Sequence, residues 1–254
     1  MMNFNGRLDT LYDAALALLY PRACAVCGMA SVEARADSPA CSACWGATRV
    51  FTDAETLCSK CGVPAWSVVV AATATGEGPA EVRCRRCEEE EFTAARACGI
   101  YEGALRASVL NLKREPHVAA RLARLMHETC LRAPFGAATR VVPVPLHPER
   151  ERERGFNQAS LLAGALSARS GITLDEWSLA RVTHTEQHRA GMDARARRES
   201  VEAAFRVTSP RLVEGESILL VDDVFTTGAT VSACAGALRA AGAREVFVIT
   251  VARV

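Results

Sequence analysis

Two adjacent carboxylates, Asp222 and Asp223, are followed after Val-Phe by Thr226, Thr227, Gly228, Ala229 and Thr230, a run of small and hydroxylic residues. Residues of these types in this order can hold a phosphorylated sugar. Such a turn offers an anion its backbone N–H groups, its hydroxyls and the positive end of a following helix, and Gly228 lets the backbone approach closely. The acidic pair would repel a phosphate, so it is better suited to accept hydrogen bonds from sugar hydroxyls or to hold a hydrated magnesium ion beside the phosphate. Phosphate on one side and a diol on the other describe a ribose 5-phosphate. Capping a helix would need only one such residue. The elements that must position the turn are legible on both sides. Ile218 to Val221 is a continuous apolar run, as in a parallel strand covered on both faces, and Val231 to Ala241 has helix-forming composition. The strand is expected to end at the carboxylates, which places the turn at its carboxyl end.

The other end of the chain carries a different chemistry. Eight of the eleven cysteines form four Cys-x-x-Cys knuckles: Cys24/Cys27, Cys41/Cys44, Cys58/Cys61 and Cys84/Cys87. Two knuckles complete one tetrahedral four-thiolate zinc site, so these ligands suit two structural zinc ions. Sequential pairing, 24/27 with 41/44 and 58/61 with 84/87, is the simplest arrangement. The spacing leaves an interleaved one open. A disulfide framework is disfavoured because the first residues lack the pattern of a secretory signal, which points to a cytoplasmic protein. Cys98, Cys130 and Cys234 sit in apolar surroundings and read as small buried hydrophobes.

At 254 residues the chain can build one substantial core and a small satellite. No apolar run approaches the roughly 20 residues that span a bilayer, so membrane insertion is not expected. A formal charge of +1 gives no global attraction to nucleic acid. The division expected is residues 1–92, an N-terminal helix and double zinc ribbon, and residues 93–254, an α/β domain with a parallel sheet flanked by helices. Leu8, Leu11, Tyr12, Ala15, Leu18 and Leu19 recur at helical spacing and suit a docking helix that Pro21 stops. Residues 63–82 suit a loop or hairpin inside the second ribbon, and Glu88 to Glu91 a solvated boundary. Beyond them, strands are expected at 97–101, 140–144, 217–221 and 245–251, with helices at 103–112 and 118–131. A less regular hood should span residues 172–216.

Two charged segments could complete the sugar-phosphate site. Lys113 and Arg114 close the first of these helices, where they would stabilise a departing anionic group, although a helix C-terminus favours basic residues anyway. The segment 147–158 reads His-Pro-Glu-Arg-Glu-Arg-Glu-Arg-Gly-Phe-Asn-Gln. Its Arg152 and Arg154 precede a Gly155 hinge and could fold over a substrate as a lid. The other reading of the alternating charges is a solvated helix face.

The Asp-Asp and Thr-Thr-Gly-Ala-Thr stretch resembles the phosphoribosyl pyrophosphate (PRPP) motif of type I phosphoribosyltransferases. Tyr101-Glu-Gly-Ala-Leu-Arg106, Leu112-Lys113, Pro143-Val-Pro-Leu-His-Pro148, Arg152-Glu-Arg-Gly-Phe-Asn-Gln158, Arg181 with Gln187, and Ala203-Ala-Phe205 extend the resemblance to the competence protein F family over roughly residues 8–254. Members join a zinc ribbon to a phosphoribosyltransferase domain. The resemblance implies that Asp222 and Asp223 face the ribose, that residues 226–230 hold the 5-phosphate, that Lys113 and Arg114 lie near pyrophosphate and that 147–158 is a flexible loop. It further implies a magnesium-dependent pentosyl transfer from PRPP to an unidentified acceptor, and a link to uptake of transforming DNA. Two other readings remain: a non-catalytic PRPP-binding adaptor, and a zinc protein that works with single-stranded DNA or a DNA-import helicase.

Overall fold

The computed structural model describes residues 22–67, 70–73, 81–182 and 204–254. The segment expected as a docking helix, Gln187 and the middle of the hood lie outside the described residues. In chain order the elements are α1 (Ser42–Gly46), β1 (Val70–Thr73), β2 (Glu81–Cys84), β3 (Ala94–Ala97), α2 (Gly103–Leu112), α3 (Ala120–Arg132), β4 (Arg140–Pro143) and α4 (Pro148–Arg154). They continue as α5 (Gln158–Ser170), β5 (Thr173–Leu174), β6 (Leu179–Arg181), β7 (Phe205–Val207), β8 (Ser217–Phe225), α6 (Ala229–Ala240) and β9 (Glu245–Arg253).

Five strands form a parallel sheet in the order β3-β9-β8-β4-β5. Ile218 to Val221 are fully buried, as a central strand covered on both faces requires. Alternate side chains serve opposite faces. Leu219 and Val221 pack with Leu105, Val109, Leu122 and Leu162, residues of α2, α3 and α5. Ile218 and Leu220 pack with Val231, Ala235 and Leu238 of α6 and with Phe205 of the β6–β7 hairpin. Each large aliphatic side chain so buried contributes roughly 1.5–3 kcal/mol.

The ribbon straddles the edge strand β3. Cys24, Cys41 and Trp45 join the core of the first face together with Ala94, whereas Cys58, Cys61, Cys84 and Cys87 join the core of the second together with Ala95. Small side chains at β3 permit this closeness. Gly62 sits at φ +69 where an added Cβ would stand 2.5 Å from the Ala95 carbonyl oxygen, and the Ala95 N–H donates to the Lys60 carbonyl at 2.7 Å.

Three expectations need correction. The strand expected at 97–101 lies at Ala94–Ala97 because its register is set by β9, with Ala94 opposite Phe247 and Ala97 opposite Thr250. Beyond it, Gly99 bridges to Val50 of the ribbon. The central strand does not stop at the carboxylates: β9 is equally long and pairs with Asp222 and on through Phe225. Residues 147–158 contain a two-turn helix, α4, rather than a loop, begun by Pro148 at N1 and ended by Gly155 at φ 81. Residues 63–82 do contribute a hairpin, β1–β2.

Candidate functional site

Asp222 and Asp223 lie on a strand, so their side chains leave it on opposite faces. Asp223 points to the first face and its Oδ2 stands 3.8 Å from Lys113 Nζ at the end of α2. Asp222 shares the second face with the buried Cys234 of α6, and its Oδ1 accepts the Asp223 N–H at 2.9 Å. Removal from water, reinforced by the neighbouring Asp223 charge, pushes the Asp222 carboxyl up to about 7 despite that N–H and the opposing charges of Lys113 and Arg181. A desolvated carboxylate of this kind gains from a nearby cation.

The turn follows directly. Gly228 is buried and left-handed at φ 90, where it is the N-cap of α6. A Cβ there would stand 2.9 Å from Phe225 Cζ, so the Phe225 ring lies against the turn. Thr226, Thr227, Ala229 and Thr230 are exposed around it, and Thr227 Oγ1 accepts the Ala229 N–H at 3.4 Å. N–H groups of a first helical turn, three threonine hydroxyls beside them and the positive end of a twelve-residue helix could cradle an anion.

The structure brings Lys113 to the acidic pair from 110 positions away in sequence. Arg114 is exposed in the adjoining turn, where Glu115 pairs with Arg22 of the ribbon at 3.3 Å. Because β4 runs parallel to β8, with Pro143 opposite Val221, α4 rises from the same end of the sheet as Asp222. Asn157 clamps the base of that excursion by donating to the Val144 carbonyl at 3.0 Å. Arg152 on α4 is exposed and its Nε donates to the Pro148 carbonyl. Arg154 is half-buried at the helix end.

The cysteines resolve into two groups, Cys24/Cys27/Cys41/Cys44 and Cys58/Cys61/Cys84/Cys87, the Sγ atoms of each lying within 4.8 Å of one another. Pairing is therefore sequential. All eleven cysteines are free of disulfides. In the second group Cys58–Cys87 and Cys61–Cys84 Sγ separations are 3.7 and 3.5 Å, close to the roughly 3.8 Å edge of a tetrahedron with zinc–sulfur bonds of about 2.3 Å. Backbone N–H groups point at the sulfurs: Cys41 and Val26 donate to Cys24 at 3.3 and 3.4 Å, and Cys84 to Cys58 at 3.3 Å. Hydrogen bonds, first from the Cys61 thiol, draw Cys58 down to about 3, while donation to Cys58 and burial push Cys61 up. In the first group burial opposes ionisation of Cys24, yet the N–H groups bring it to about 6, and Cys44 rises to about 12, chiefly beside Cys41. Thiols so close cannot all ionise without a cation, and a tetrahedral dication is what their geometry fits. Cys98, Cys130 and Cys234 are buried, with Cys98 pushed up to about 12 by burial.

Several residues that surround the site had no role assigned from sequence. Arg181, on β6, faces Asp222 electrostatically and stacks over Phe205 at 5.5 Å. Thr48 accepts the Ala104 N–H at 2.8 Å and so caps α2 from the ribbon. The run expected as a solvated boundary lies along α6: the Glu91 N–H donates to Ser232 Oγ at 2.9 Å and Arg239 donates to the Glu91 carbonyl at 2.6 Å. None of these contacts has a periodicity or spacing signal, since each joins segments distant in the chain.

Parallel sheet, acidic pair and helix-capped turn, with two four-cysteine sites beside them, define a phosphoribosyltransferase-like domain carrying a double zinc ribbon. A double zinc ribbon domain model matches residues 15–88 and a phosphoribosyl transferase domain model residues 154–254. DNA utilization protein YhgH of Salmonella typhi is 34% identical over 218 residues, which cover 82% of this chain and 87% of the relative. Competence protein F of Haemophilus influenzae is 38% identical over 114 residues, 44% of this chain and 49% of the relative. Competence protein ComFC of Bacillus subtilis is 40% identical over 90 residues, 35% of this chain and 34% of the relative. The chain belongs to the competence protein F family. Among the described residues, no helix is long and apolar enough to cross a membrane.

Proposed function

We propose that the protein binds PRPP with magnesium and transfers its phosphoribosyl group to an acceptor, releasing pyrophosphate. One observation carries this reading: Lys113, distant in sequence, meets Asp223 at the end of the central strand that leads directly into the Gly228 turn. The turn 226–230 would hold the 5-phosphate, Asp222 and Asp223 the ribose hydroxyls, and Lys113 with Arg114 the pyrophosphate. Bound magnesium would neutralise part of the pyrophosphate charge. Breaking the bond at the anomeric carbon passes through a state with oxocarbenium character, so the chain's contribution is orientation, cationic stabilisation of the leaving group and exclusion of water. Arg152 and Arg154, on a helix that rises from the same end of the sheet, would serve that exclusion. No protein nucleophile is needed. We read residues 1–92 as the ribbon unit, residues 93–254 as the transferase-like unit and the setting as the cytoplasm.

The names of the relatives, DNA utilization protein and competence protein, support a role in the use or uptake of DNA. A second reading as a non-catalytic PRPP-binding adaptor that meets single-stranded DNA or a DNA-import helicase has its own support. Trp66 is 64% exposed on the ribbon with the Arg49 guanidinium 5.0 Å from its ring centroid, a combination on which a base can stack. The deciding measurement is pyrophosphate release from PRPP and magnesium in the presence of candidate bases, amines and nucleic-acid ends. Release above the acceptor-free rate supports transfer; PRPP binding without release against every acceptor class favours the adaptor.

A further inference from the structure

The second zinc site and the turn that cradles the phosphate are joined by one buried side chain. Arg253, the penultimate residue, is 6% exposed. Its Nη1 donates to the Cys61 carbonyl at 2.7 Å, and its guanidinium carbon stands 5.0 Å from the centre of the Phe225 ring. Phe225 is the residue whose ring lies against Gly228, and it is held on another side by Phe92, edge-on at 6.0 Å. Backbone pairing of Phe225 with Arg253, and the Val254 N–H donating to the Phe225 carbonyl at 3.0 Å, fix the two residues to each other.

We propose that Arg253 is a positioning residue that couples zinc occupancy of the Cys58/Cys61/Cys84/Cys87 site to the shape of the 226–230 turn through Phe225. This rests on the reading of that turn as a phosphate site. A buried guanidinium needs compensation. Zinc with four thiolates carries a net charge of about −2, and Arg253 meets that centre at the carbonyl of one of its ligands. Loss of the ion releases the Cys58–Cys61 knuckle and with it the Cys61 carbonyl that holds Arg253 Nη1. The guanidinium then loses its reason to stay over Phe225, and the ring loses the plate that presses it under Gly228. Coupling of this kind is reciprocal: whatever orders the turn must also tighten zinc at the second site.

The test follows zinc release from the full-length, zinc-loaded protein into a colorimetric chelator, with and without PRPP and magnesium, alongside calorimetric PRPP affinity. In the wild type PRPP should slow release from the second site by about tenfold and leave the first site unchanged, a factor typical of such couplings. Arg253→Met should still load two zinc ions, bind PRPP about tenfold more weakly and show no PRPP-dependent protection of the second ion. Arg253→Lys should restore part of the protection. A merely structural role for Arg253 would lower stability and affinity but leave the protection in place, and that result would overturn the proposal. If Arg253→Met does not fold, Phe225→Leu serves the same purpose: it keeps the bond to Cys61 and removes the ring, and persistence of protection in it overturns the coupling. Absence of PRPP binding by the zinc-loaded wild type would overturn the phosphate assignment and the coupling with it. Undiminished binding and protection in both variants would overturn the coupling alone.

Discussion

Cys27 of the first four-cysteine site is exposed and Cys44 half-buried, whereas every cysteine of the second site is buried. The knuckles are the same in sequence; their surroundings are not. At the second site two arginines address backbone carbonyls of one knuckle: Arg96 reaches Ser59 at 3.1 Å and Arg253 reaches Cys61 at 2.7 Å. Near the first site the cation, Arg121, instead lies over Trp45 at 4.8 Å and pairs with Asp37 at 3.4 Å. The contrast follows from solvation. An anionic metal–thiolate centre at the surface is stabilised by water, while one enclosed by protein needs fixed donors and counter-charge. The first site sits at the margin of one face's core, with Cys24 and Cys41 inside it and Cys27 and Cys44 towards solvent, whereas the second lies wholly in the core of the other face.

The largest expected effect comes from breaking each site in turn. Cys61→Ser should reduce bound zinc from two ions to one and lower the melting temperature by about 10 °C or more, roughly 4 kcal/mol, because it leaves a buried, incomplete ligand set. Cys27→Ser should cost only about 1–2 kcal/mol, since water can take the vacated position. Elemental analysis and thermal melts check both, and equal losses would mean that burial is not what separates the sites. In the wild type, a chelator should remove the two ions in two phases. Cys27→Ser should accelerate the fast one and leave the slow one unchanged.

A second test sets the two carboxylates against each other. The folded value of Asp222, about 7, lies above its unfolded value near 3.8. Between those values the native state binds more protons than the unfolded chain, so stability from this group is full below about pH 4 and declines as pH rises towards about 7. Asp222→Asn should remove that slope and raise stability at pH 8 by roughly 2 kcal/mol, a few degrees in melting temperature. Asp223→Asn removes the neighbouring charge that helps to raise Asp222, so it should move the slope to lower pH without abolishing it. Urea denaturation of both variants between pH 5 and 8 distinguishes them. A wild-type profile flat across that range would show that Asp222 is already ionised in the free protein.

What could be read in the sequence was what local spacing encodes. Cys-x-x-Cys spacing identifies ligands because both sulfurs of a knuckle come from one turn of chain, and the Thr-Thr-Gly-Ala-Thr run identifies a turn because Gly228 alone can take its left-handed conformation there. The direction of the two carboxylates was hidden. It depends on β9 extending the pairing past Val221, a contact between strands rather than a property of either. The brace at Arg253 was hidden for the same reason, since nothing near the C-terminus marks it as a partner of Cys61, 192 positions earlier. The alternating charges of 147–158 were compatible with both a lid and a helix, and Pro148 at N1 with Gly155 at the C-cap supplies the helix signals that the lid reading passed over.

The smallest effect should come from the first site's own link to the sheet. Thr48 donates to the Cys44 carbonyl at 2.7 Å and accepts the Ala104 N–H at 2.8 Å, so one hydroxyl ties the last cysteine of the first site to the start of α2. That helix ends at Lys113, the partner of Asp223. Thr48→Val keeps the shape of the side chain and removes both hydrogen bonds, which should cost about 1 kcal/mol as for loss of a helix cap. Zinc content should stay at two. If α2 positions Lys113 for pyrophosphate, the variant should bind pyrophosphate about two- to fivefold more weakly while its affinity for ribose 5-phosphate is unchanged. Arg253→Met should show the opposite pattern, because its contacts lie on the phosphate side. Equal loss of both ligands in either variant would mean that the two faces of the sheet do not act separately, and that the ribbon supports the site only as one block.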